Sequence, residues 1–60
     1  MTQIETITGT AYTAIISRHA RGFTVAFGFQ DRGGFQCTQP SRDFKSLAGA
    51  QKAGKAWAAK

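Results

Sequence analysis

Cys37, His19 and the carboxylates Glu5, Asp31 and Asp43 are the side chains of this chain best suited to nucleophilic, acid–base or metal chemistry. Their number and spacing argue against all three. One cysteine and one histidine cannot complete a tetrahedral zinc site, and one cysteine cannot form an intrachain disulfide. Asp31 stands in a glycine turn and Asp43 just ahead of a helical segment. Turn hydrogen bonding and the positive end of a helix dipole account for them. Glu5 lies in a short extended stretch near the N-terminus. His19, set between Arg18 and Arg21, reads first as an exposed turn residue and second as a phosphate contact. Cys37 falls on a phenylalanine-bearing strand face, which favours a buried inert thiol over a nucleophile. No Ser–His–Asp or Cys–His set emerges. The glycines lack the lysine-bearing strand-to-helix turn of a phosphate loop. The chain therefore reads as non-enzymatic, with neither metal nor cofactor.

Charge is the remaining signal. Eight Lys and Arg stand against three Asp and Glu, a net charge of +5. The balance is uneven: residues 1–30 carry +1 (Arg18 and Arg21 against Glu5), and residues 31–60 carry +4 (six cations against Asp31 and Asp43). A basic chain favours polyanions or acidic protein surfaces as partners. The cations fall into two candidate phosphate-binding clusters, Arg18, His19 and Arg21 in one turn and Lys45, Lys52 and Lys55 on a helix. Arg32 and Arg42 lie in connections beside them. Thr24, Gln30 and Gln36, on a polar strand face, add hydroxyl and amide groups that can approach a backbone or base edges.

The elements that must position these groups follow from periodicity. Up to about Thr38 apolar and polar residues alternate with a period of two, and from Ser46 the pattern turns helical. Residues 10–17 and 23–30 read as strands, the second with Phe23, Val25, Phe27 and Phe29 on one face. Residues 18–22 form a turn in which Gly22 can take positive φ. Asp31-Arg32-Gly33-Gly34 is a hairpin turn leading to a third strand over residues 35–38, with Phe35 and Cys37 on the apolar face. Pro40, lacking an N–H, is expected to end the pairing. Residues 3–8 are a candidate fourth, edge strand.

Ser46 is the expected N-cap of a helix whose stripe is Leu47, Ala50, Gly54 and Trp57. Lys60 at its far end suits the negative pole of the helix dipole. The fold class is α+β: an antiparallel meander of three strands, with a candidate fourth, and one C-terminal helix packed on one face, in a single domain over residues 1–60. The expected core is Tyr12, Ile16, Phe23, Val25, Phe27, Phe29, Phe35, Phe44, Leu47 and Trp57. Ile15 is left over, and with the small Ala26 and Gly28 it forms a candidate interface.

A domain of this size buries only about 60% of its unfolded surface, so a homodimer or another partner is expected to add stability. No apolar run approaches the roughly 20 residues of a membrane span. The lone thiol and the lack of an apolar leader point to the cytoplasm.

From Gly22 to Trp57 the chain resembles the three-strands-plus-helix DNA-binding domains of the integrase arm-binding and plant ethylene-response types. The resemblance rests on a strand opening Gly22-Phe23-Thr24-Val25, a glycine hairpin, and Phe44-Lys45-Ser46 leading into an alanine-rich helix with Trp57. It implies DNA reading from the sheet face by Arg and Lys. Here Thr24, Ala26 and Gly28 occupy the strand centres instead. In size and style the chain is also similar to small phage or mobile-element proteins, anti-CRISPR proteins among them, which bind and inhibit a host protein complex. Nucleic-acid binding is the leading expectation, and inhibition of a host complex or self-association is the alternative.

Overall fold

Period-two alternation builds the centre of the sheet as expected, and the sheet extends beyond it on both sides. The computed structural model describes residues 2–60. Its elements are β1 (Thr2–Thr8), β2 (Thr13–His19), β3 (Gly22–Asp31), β4 (Gly34–Phe44) and α1 (Leu47–Ala58). The strands form one antiparallel sheet in the order β1-β2-β3-β4, a meander in chain order. Residues 3–8 thus belong to a true fourth strand, and the domain is ββββα.

The helix lies across one face of the sheet. Ala14, Ile16, Val25, Phe27 and Ala50 are the buried centre, with Ile7, Phe23, Phe44, Ala53 and Trp57 packed around them. Ser46 caps α1 in extended backbone, and its side chain accepts a hydrogen bond from the Gly49 N–H at 3.2 Å. Small residues let the helix sit close to β1 and β2. A Cβ at Gly54 would stand 2.9 Å from Ile7 Cδ1 and 3.3 Å from Ala14 Cβ. Gly22 takes φ +137° as the turn requires, a conformation costly for any residue with a Cβ.

Several expectations are corrected. Pro40 does not end the pairing: β4 runs through it to Phe44. As an edge strand β4 has a side with no ladder to donate to, and its register shifts between Val25 and Phe27 and again between Phe27 and Gly28. Such bulges are where a strand tolerates proline. Nearer the turn, the two-residue hairpin with Asp31 paired to Gly34 sets the faces of the strand's first residues. Phe35 pairs with Gln30, Gln36 with Phe29 and Cys37 with Gly28. Directly opposed residues share a face, so Phe35 and Cys37 leave the helix side and Gln36 joins it. Cys37 is exposed, not buried.

Leu47 is 37% exposed, because the buried stripe of α1 is Ala50, Gly54 and Ala58. Phe29 and Phe35 are partly buried outside the packed core, and the alanines Ala14 and Ala50 take the central places. Tyr12 precedes β2 and packs on Trp57 at a ring-centroid distance of 4.7 Å. His19 belongs to the end of β2, which leaves only Ala20 and Arg21 as the turn. Asp43, which precedes the helix, lies in β4 and is held there by the Thr24 hydroxyl rather than by the helix dipole.

Candidate nucleic-acid interface

All eight lysines and arginines have exposed side chains. Among the described residues none of them lies in an ion pair; the close approach of a basic nitrogen to a carboxylate is His19 Nε2 to Asp43 Oδ1 at 4.0 Å. The three carboxylates are engaged elsewhere. Glu5 accepts from the Gln51 amide at 2.8 Å, tying β1 to α1. Asp31 accepts from the Gly33 N–H at 2.8 Å inside the hairpin. Asp43 accepts from the Thr24 hydroxyl at 2.7 Å across β3 and β4. The acids serve internal hydrogen bonds and the cations are left to solvent.

The two expected clusters are regrouped. Arg21 lies in the β2–β3 turn and Arg18 at the end of β2 beside it, rather than both within one turn. Lys45 joins them and not the helix lysines: its Cα would lie 3.4 Å from a Cβ placed on Gly22. His19 shares this end, with Nδ1 accepting from the Arg21 N–H at 3.2 Å. Its imidazole also faces Asp43, whose charge opposes a phosphate there. Lys52 and Lys55 lie away from the sheet on the exposed side of α1. Arg32 sits in the β3–β4 hairpin at the other end of the molecule. The ten residues of β3 separate it from Arg21 by roughly 30 Å, at about 3.3 Å per residue.

The open face of the sheet carries Thr24, Gln30 and the adjacent pair Ile15 and Ala26, both partly buried. Gly28 is buried and works as a packing position. A Cβ there would stand 1.9 Å from the Gln36 carbonyl oxygen, and its own carbonyl accepts from the Trp57 indole at 3.0 Å.

A feature not legible in the sequence is a groove of about 490 Å³ between β4 and α1. Its cations are Arg42 and Lys60, and no carboxylate lines it. The Arg42 guanidinium stands 5.3 Å from the Phe44 ring centroid, and the Lys60 ammonium 5.1 Å from that of Trp57. The groove lies where the irregular stretch of β4 around Pro40 faces a flank of α1 whose side chains, Ala53 and Ala56, are small beside Trp57. The usable signal was Ala53 and Ala56, three apart beside Trp57, opposite a proline within a polar stretch.

Fold and surface together define a small α+β chain with a solvent-facing cationic exterior and a groove between sheet edge and helix. No protein-family model matches the chain, nor does any curated protein or solved structure. Among the described residues no group of three or more His, Cys, Asp or Glu is placed to hold a metal ion. Nor is any helix there long and apolar enough to cross a membrane.

Proposed function

We propose that this chain is a non-catalytic nucleic-acid-binding module whose affinity is dominated by charge. The observation that carries the reading is the asymmetry of pairing: eight exposed cations without ionic partners against three carboxylates held in internal hydrogen bonds. A polyanion meets those cations without first breaking salt bridges, and the counterions it releases supply the driving force. Arg18, Arg21 and Lys45 form one contact region, Lys52 and Lys55 a second, and Arg32 and Arg42 extend the field. The pattern that residues 22–57 share with integrase-type and ethylene-response DNA-binding domains, a glycine hairpin leading into an alanine-rich helix, motivates the same reading. With Thr24, Ala26 and Gly28 at the strand centres, contacts fall on phosphates more than on base edges. The lone Cys37, exposed as a thiol, suits a reducing cytoplasm.

The test is a titration of labelled duplex and labelled single strand at two salt concentrations. Binding that weakens steeply with salt is expected. No binding at low salt would remove the proposal and favour a second reading. That reading rests on the edges of the sheet: β1 is uncovered on its outer side, without the proline that protects β4. An edge of this kind can extend the sheet of a host protein or of a second copy, with Ile15 and Ala26 on the adjoining face.

A further inference from the structure

We infer that the groove between β4 and α1 is a single-strand site, in which an unstacked base lies against Trp57 while Arg42 and Lys60 hold its flanking phosphates. The inference rests on the nucleic-acid reading above and adds the place and the strandedness. At about 490 Å³ the groove falls within the roughly 300–1,000 Å³ of ordinary ligand sites. Phe27 and Trp57 make its floor, Ala53 and Ala56 one wall, Gln39 and Pro40 the other. The floor and walls are therefore largely apolar and partly aromatic, which suits the flat face of a base. Gln39 adds an amide that can meet a base edge.

Charge selects the occupant. Two cations border the groove and no acid does, so an anion is favoured and an acidic group on the wall would repel it. An anion alone would not need the aromatic floor. The combination of stacking surface and backbone-neutralising cations is the one that single-strand binders use, and it tolerates any base because every base has a π face. A duplex keeps its bases stacked inward and offers the groove only phosphate and sugar. Trp57 is firmly placed to receive a base: its indole N–H donates to Gly28 at 3.0 Å, and Tyr12 and Phe27 pack on it at 4.7 and 5.7 Å. The Lys60 ammonium over its ring is at the end of a flexible side chain and can exchange the ring for a phosphate.

Trp57 is the sole tryptophan, so its fluorescence reports on the groove directly. The probe is an oligothymidylate of about twelve nucleotides, inside the roughly 4–16 nucleotides a small fold covers. Its effect is compared with that of a duplex of equal length, inorganic polyphosphate and polyglutamate. Quenching by the oligothymidylate alone is expected. Ala56→Glu, which places a carboxylate on the groove wall, should weaken it roughly tenfold. Ala48→Glu makes the same charge change on the same helix outside the groove and should leave the quench near that of the parent. Circular dichroism checks that both are folded. If Ala56→Glu is not, Arg42→Gln combined with Lys60→Gln carries the same expectation.

Oligothymidylate binding, seen by its label, with no quench would overturn the groove and leave the nucleic-acid reading standing. So would equal losses in Ala56→Glu and Ala48→Glu. Equal quenching by duplex, polyphosphate or polyglutamate would overturn the single-stranded occupant. Failure of every nucleic acid to bind would end both proposals.

Discussion

At Gly9 a Cβ would stand 1.8 Å from the Ala58 carbonyl oxygen, and both partners there are backbone that cannot rotate aside. The β1–β2 loop is thereby pressed under the last turn of α1, and the Gly9 N–H closes the loop on the Tyr12 carbonyl at 2.8 Å. Gly9→Ala must push loop and helix apart. Overpacking of this kind costs about 1–3 kcal/mol, so the urea midpoint should fall with the slope preserved. An unchanged midpoint would mean the contact is not present in solution. Phe27 makes the opposite case, by removal. It is only 6% exposed and touches Trp57 edge-on, so Phe27→Ala should cost about 3–5 kcal/mol. Total stability for sixty residues is about 3–9 kcal/mol at typical values per residue. Loss of cooperative melting is the expected result, and a well-folded variant would place Phe27 on the wrong face. The fate of Phe27 was readable because alternation alone sets it. That of Cys37 follows instead from the hairpin register, which sets Phe35 opposite Gln30 and Cys37 opposite Gly28; carrying the phenylalanine alternation straight across the turn puts it on the wrong face.

Elements differ in how locally they are specified, and that decides what the sequence disclosed. The start of α1 is written within four residues: Ser46 accepts from the Gly49 N–H, and no acidic side chain in the first turn assists it. Ser46→Ala should therefore lose about 1 kcal/mol, seen as a lower thermal midpoint, and Ser46→Asp should recover most of it. Equal midpoints for all three would show the cap to be idle. β3 was equally legible, since its hydrophobic alternation and its glycine turn are both short-range. The course of β4 past Pro40 was hidden, because it is fixed by pairing with β3 and by an unused outer edge. The same non-local cause hid the groove. It exists only where β4 meets the alanine flank of a helix that follows it in the chain. The rotation of the helix stripe from Leu47 toward Ala58 was hidden in the same way, because it depends on where the sheet lies under α1.

Across the whole molecule, the separation of the cations makes a quantitative demand on any polyanion that binds. The molecule extends 31 Å along its longest axis, and Arg21 and Arg32 stand near opposite ends of β3. Sites so far apart share no partners, so their contributions to the salt slope should add. Each phosphate neutralised on a single strand contributes about 0.7 to the slope of log affinity against log salt. Arg18→Ala with Arg21→Ala should then flatten the slope by about 1.4, and Arg32→Ala by about 0.7 more. That last increment needs a ligand long enough to reach both ends. With an oligonucleotide that covers the groove but falls short of the hairpin, Arg32→Ala should leave the slope where it was, while the arginine pair still counts if the strand runs toward the β2–β3 turn. Measured against ligand length, the slope therefore reports the path of the strand across the protein. A slope that ignores both arginines at every length would show that the turn cluster takes no part, and would leave Arg42, Lys60 and the helix lysines as the binding charge.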